Sequence, residues 1–128
     1  MATTNQETMR RYGRAWSEGD YAGMQELMDD DVVLHLFGHS PISGMFRGKK
    51  ELADIVRIIQ ELTDRTLIEL HDILVGDDHA AALVRERMTR HGNAVELERV
   101  FVYHLHDGKI SEVWIFDQDQ NAVDALWS

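Results

Sequence analysis

The chain has 128 residues, 44% of them hydrophobic, which suits one domain around one core. Its 13 basic and 23 acidic side chains give a formal charge of −10, and that sign repels phosphate backbones and anionic lipid, so nucleic acid and membrane surfaces are disfavoured as partners. Cys is absent, which excludes disulfides, thiolate catalysis and cysteine-based metal centres.

The opening "MATTNQETMRRYG" lacks the apolar core of a signal peptide. No apolar run approaches the roughly 20 residues that span a bilayer, and the expected location is the cytoplasm. "TNQE" fits a capping box, with Thr4 as N-cap and Glu7 reaching back. Met9, Tyr12 and Trp16 then recur as the apolar stripe of a helix. Asp20 caps a second short helix with Tyr21, Met24, Leu27 and Met28 on one face. "DDD" ends it and leads into a strand over Val32–Phe37. The segment "GHSPISGMFRG" holds three glycines and Pro41 and is expected as a turning loop. A helix follows over about Lys49–Leu62, with Leu52, Ile55, Val56, Ile59 and Leu62 in its period.

Beyond "TDRT" the pattern changes. "LIELHDILV", "AAALVRERMTR", "AVELERVFVYHLH" and "KISEVWIFD" are rich in β-branched and aromatic residues. Their short connections, "GDDH", "HGN" and "HDGK", predict an antiparallel meander of hairpins. "DQNAVDALWS" makes a last helix with Val123, Leu126 and Trp127 on one face. Helices segregated from an antiparallel sheet define an α+β domain. Strands this long must bend in so small a domain, and the bent sheet closed by helices encloses a cone.

Three stretches, in this order, resemble one superfamily over nearly the whole chain: "RRYGRAWSEGDYAGMQELMDDDVVLHLFG", "SPISGMFRGKKEL" and "FVYHLHDGKISEVWIFDQDQNAVDALW". The pattern is similar to the nuclear transport factor 2-like fold, a cystatin-like α+β barrel, and within it to SnoaL-like polyketide cyclases and ketosteroid isomerase-like proteins. The resemblance implies a single SnoaL-like domain over residues 1–128, a curved antiparallel sheet closed by N-terminal helices, an apolar pocket in the cone, and a homodimer formed through the sheet.

His35 lies between Leu34 and Leu36. Alternation puts Val33, His35 and Phe37 on one strand face and Val32, Leu34 and Leu36 on the other. Both faces are otherwise apolar, so burial favours a neutral ring, whose free nitrogen is a general base. A core histidine bonded to a carbonyl fits the same pattern. The resemblance favours the His35 face as pocket-lining.

Arg99 shares a face with Val95, Leu97, Phe101, Tyr103 and Leu105. If that face is inward, Arg99 requires a buried carboxylate, Asp117 or Glu86, or an anionic ligand. Asp117 stands where an acid is catalytic in SnoaL-like cyclases, or it caps the last helix, as Asp119 also could. Tyr12 offers a phenol that can donate to a carbonyl oxygen, as in the isomerases, or simply packs in the core. Trp16, Phe37, Ile59, Phe101 and Trp114 are expected as pocket walls. His39 is expected at the mouth, with Met45 and Phe46 at a mobile rim.

His104 and His106 form a pair without a third ligand, so no metal site is assigned. No Gly-rich nucleotide motif or G-x-S-x-G is present, and no cofactor is expected. Two functional readings follow. One is a cofactor-free isomerase, cyclase or hydrolase acting on a small hydrophobic carbonyl, epoxide or polyketide-like compound, with His35 as base, Asp117 or Tyr12 as acid and Arg99 as stabiliser. The other is a non-catalytic protein of the same fold that binds a small molecule or only dimerises.

Overall fold

The structure, a computed structural model, describes residues 4–128. Helix α1 (Asn5–Ser17) starts at Thr4, whose hydroxyl accepts from the Glu7 amide at 3.1 Å. Only half of the expected capping box forms, because the Glu7 carboxylate turns to Arg10 and Arg11. Helix α2 (Tyr21–Glu26) is capped by Asp20, which accepts from the Gly23 amide at 2.9 Å.

That helix ends before Leu27 and Met28, and the three aspartates belong to strand β1 (Met28–Leu36). The cause is tertiary. Met28 is buried and opposite Ile110, and the Ile110 amide donates to the Leu27 carbonyl at 3.0 Å. Sheet pairing thus overrides the local helical pattern. The glycine-rich loop also contains a short strand, β2 (Gly44–Arg47), paired antiparallel with β1.

Helix α3 (Gly48–Leu62) buries Leu52, Ile55 and Ile59. It leads into strands β3 (Asp64–Val75), β4 (His79–Arg90), β5 (Asn93–His106) and β6 (Lys109–Asp117), and then helix α4 (Gln120–Trp127). The meander forms as the turn residues require. His91–Gly92 and Asp107–Gly108 all have positive φ, the pairing of a type I′ hairpin turn whose twist matches the strands.

The sheet order is β2-β1-β6-β5-β4-β3. The four-strand meander is antiparallel as expected, and β1 joins it parallel to β6. Short connections predict the hairpins, but this neighbour is reached only after α3 and the whole meander, so no local signal announces it.

One sheet face is covered by helices. Tyr12 and Trp16 of α1, Leu52, Ile55 and Ile59 of α3, and Val123 and Trp127 of α4 are buried with Leu34, Phe101, Tyr103, Val113 and Ile115. Each such large side chain contributes about 1.5–3 kcal/mol on burial. The other face is open, with Glu96, Glu98, Val100, Val102 and His104 on β5 directed outward. Phe116 and Leu74 remain 47% and 53% exposed.

Candidate functional site

Between the helices and the inward sheet face lies a cavity of about 120 Å³. On the same measure one water needs roughly 10–15 Å³, so the space suits a small organic molecule. Its walls are mostly apolar: Trp16, Leu34, Leu52, Val56, Ile59, Met88, Phe101, Val113 and Ile115. Trp16 lies 4.8 Å from the Phe101 ring and 5.9 Å from the Tyr12 ring, centre to centre.

Into this apolar wall the sequence places charge. Alternation along β5 turns Leu97, Arg99, Phe101, Tyr103 and Leu105 inward. Arg99 pairs in register with Asp117 of β6 and Val84 of β4. Its Nε donates to Asp117 Oδ1 at 2.5 Å and its Nη2 to Oδ2 at 3.4 Å, while Nη1 donates to Glu86 Oε1 at 3.0 Å. Arg65 Nη2 closes the far side on both Glu86 oxygens, at 3.0 and 2.9 Å. The carboxylates of Glu86 and Asp117 are only 2% and 4% exposed. Two cations against two anions make the cluster formally neutral, which lets it sit in an apolar interior.

Sequence reasoning left Asp117 and Glu86 as alternative partners of Arg99, and the structure engages both. Nothing local marks Arg65, because "TDRT" reads as a linker. It stands on β3 with Leu67 on the same face, so counting alternation back from Leu67 locates it. Asp117 does not cap α4. Asp119 does, accepting from the Ala122 amide at 3.0 Å.

Tyr12 lines the cavity beside this cluster. The Tyr103 hydroxyl donates to the Tyr12 hydroxyl at 3.1 Å, which leaves the Tyr12 proton free for another acceptor. Burial pushes the Tyr12 phenol up to about 12 and Tyr103 well above its ordinary value. Both folded values lie above the unfolded value of about 10. Their contribution to stability is therefore complete below pH about 10 and is lost as pH rises toward the folded values. We expect unfolding free energy to fall by about 1.4 kcal/mol per pH unit and per tyrosine in that window, read from urea melts at stepped alkaline pH. Tyr12→Phe should flatten this slope.

Trp16, Ile59 and Phe101 line the cavity. Phe37 reaches its mouth, but its ring stacks on Phe116 at 5.2 Å on the open side. His35 requires a correction. The inward face of β1 is Val32, Leu34 and Leu36, with Val32 fully buried and Leu34 5% exposed. His35 points to the opposite, open face of the sheet, where its Nε2 lies 2.5 Å from Glu112 Oε2 and its ring stacks parallel on Trp114 at 5.3 Å. Three aliphatic side chains gain more from burial than a set containing an imidazole, and β6 supplies that imidazole with an acceptor and a flat surface.

The same alternation takes Trp114 out of the pocket wall, and Met45, opposite His35 in register, is 47% exposed. Phe46 packs against the core from β2 without lining the cavity. His39 is exposed, and its amide donates to Asp124 Oδ2 at 2.9 Å. With Gln120 Nε2 donating to the Phe37 carbonyl at 3.1 Å, this contact ties the loop to α4, and Ser40, Ile42 and Gln120 line the cavity nearby. The loop bonds and Gln120 hold the Asp124 carboxyl below the usual carboxylate range.

A curved sheet wrapped round an internal cavity and closed by helices defines the nuclear transport factor 2-like class of α+β folds. Within it, the chain belongs to the SnoaL-like domain family, whose model matches residues 9–113. An uncharacterised protein of Mycobacterium tuberculosis is 24% identical over 124 residues, covering 95% of each chain. A Xanthomonas campestris protein of unknown function with a cystatin-like fold superposes with a TM-score of 0.90 at 24% identity, covering 98% of this chain and 99% of that one. A candidate polyketide cyclase from Pseudomonas putida superposes with a TM-score of 0.78 at 19% identity, over 98% and 99%. These likenesses carry the fold. Among the described residues no helix is long and apolar enough to cross a membrane.

Proposed function

We propose that this protein takes up a small, neutral, largely apolar molecule with a carbonyl or epoxide oxygen and acts on it by acid–base chemistry without a cofactor. The observation that carries this reading is a charge-balanced cluster, Arg65–Glu86–Arg99–Asp117, at the wall of an otherwise apolar cavity. The cluster is formally neutral, so a charged ligand would leave an uncompensated charge in the interior. The Tyr12 proton, free of Tyr103, is the donor for the ligand oxygen.

In an isomerase or cyclase cycle, Asp117 accepts a proton from the carbon next to the carbonyl. The electron pair moves onto the oxygen held by Tyr12; it returns to carbon when Asp117 redelivers the proton to another carbon of the enolate, or it forms a carbon–carbon bond to a second carbonyl of the ligand, whose C=O π bond breaks and whose oxygen takes the proton from Asp117. Arg99 holds Asp117 in place. The candidate polyketide cyclase among the structural relatives fits this reading. The competing reading, a non-catalytic carrier, is favoured by one contact: Arg99 already occupies both Asp117 oxygens.

Native mass spectrometry of protein from its own cells tests the proposal. A co-purifying neutral compound rich in oxygen acceptors is expected. A retained anion, or an empty cavity together with no uptake of any neutral ketone or epoxide in a panel, rejects it.

A further inference from the structure

We propose that His79 and His104 form a two-ligand binding site for a late first-row divalent cation, Zn²⁺, Ni²⁺ or Cu²⁺, on the open face of the sheet, away from the cavity. The two residues are direct register partners on the antiparallel strands β4 and β5, and both side chains project to the same face. Their ring centres are 4.9 Å apart. Two imidazoles sharing one tetrahedral ion, with bonds of about 2.1 Å, have ring centres roughly 5 Å apart.

The hydrogen bonds set the tautomers. His79 Nδ1 lies 2.8 Å from Asp78 Oδ1, and a carboxylate only accepts, so Nδ1 carries the proton. His104 Nδ1 lies 2.7 Å from Ser111 Oγ, whose own proton goes to the His104 carbonyl at 3.1 Å. Oγ is therefore the acceptor there too, and His104 is also protonated at Nδ1. In the neutral form each ring then carries its lone pair on Nε2, and neither Nε2 has a hydrogen-bond partner among the described residues. Metal-binding histidines show this arrangement, with the far nitrogen held by an oxygen that fixes the ring and raises its basicity.

No other histidine among the described residues shares this register with a partner imidazole. His35 spends its Nε2 on Glu112, which also keeps that carboxylate out of the pair. His71 and His106 face only the exposed carboxylates of Glu69 and Asp107. The sequence assigns no metal to His104 with His106, and the sheet instead sets His104 beside His79, its cross-strand neighbour on β4. Among the described residues no three-ligand cluster of His, Cys, Asp or Glu exists, so the remaining coordination positions belong to water or to a ligand from outside the chain. Imidazole ligands and an open coordination sphere select the late first-row ions over Mg²⁺ and Ca²⁺.

The test uses the untagged full chain titrated with ZnCl₂ and NiCl₂ by calorimetry near neutral pH, with circular dichroism confirming that each variant is folded. One ion per chain is expected at micromolar metal. His79→Gln and His104→Gln should each abolish uptake. Ser111→Ala should weaken it about 10–100-fold, the usual cost of losing the oxygen that orients a ligand. His71→Gln and His106→Gln should bind as the parent does. In parallel, traces of Cu²⁺ should broaden the ring signals of His79 and His104 before those of any other histidine. Absence of uptake at millimolar metal, uptake that survives both Gln substitutions, or broadening without preference for this pair overturns the proposal.

Discussion

Arg99→Met is expected to lower the free energy of unfolding by about 3–5 kcal/mol, measured by urea denaturation at neutral pH. The arginine joins the carboxylates of Glu86 and Asp117, which are 2% and 4% exposed. Methionine fills much of the volume but leaves two buried anions facing the single cation of Arg65. The destabilisation comes from those stranded charges more than from the lost bonds. Adding Glu86→Gln and Asp117→Asn to Arg99→Met should therefore recover part of the loss, since the residues share one network and their effects do not add. A loss below about 1 kcal/mol for the single substitution would mean that water reaches the cluster and screens it.

Tyr12→Phe is expected to separate the two functional readings once a ligand is in hand. The substitution keeps the ring against Trp16 and Tyr103 and removes only the hydroxyl that lies 3.1 Å from Tyr103. If the phenol stabilises negative charge developing on a carbonyl oxygen, turnover falls about 10²–10³-fold while affinity changes little. If the protein is a carrier, only the dissociation constant moves, by roughly tenfold for a neutral hydrogen bond. The buried Tyr103 hydroxyl loses its acceptor in either case, at a cost of about 1–3 kcal/mol of stability, so both assays should be run well below the melting temperature. Unchanged turnover and unchanged affinity would remove Tyr12 from the site.

Much of the architecture was legible because it is local. Thr4, Asp20 and Asp119 stand where their helices need caps, and the His91–Gly92 and Asp107–Gly108 turns fix the hairpins. The inward face of β5 was legible too, since one strand face carries both its aromatics and Arg99. The side of β1 that faces inward was not. Both faces of Val32–Phe37 are greasy, and the choice between them depends on Glu112 and Trp114, far along the chain. The family likeness pointed to His35, whereas the greater aliphatic content of the Val32, Leu34 and Leu36 set pointed the other way and prevailed. Asp117 and Arg99 could be found from their strand faces, but their union with Glu86 and Arg65 needed the register of β3, β4, β5 and β6 together.

The parallel seam between β1 and β6 has a consequence for how the molecule assembles. The meander β3–β6 closes through short turns, so its contacts involve little loop entropy and should form early. β1 cannot dock on that sheet until β6 exists, because Val33 and Leu34 meet Glu112 and Val113 on the far side of the meander in sequence. During synthesis the segment from α1 to β1 must therefore wait, with Val32, Leu34 and the α1 aromatics uncovered, until β6 has left the ribosome. The segment that closes the cavity is thus made before β6 and seated after it, and removing β6 would strand that segment as an adhesive, chaperone-dependent stretch.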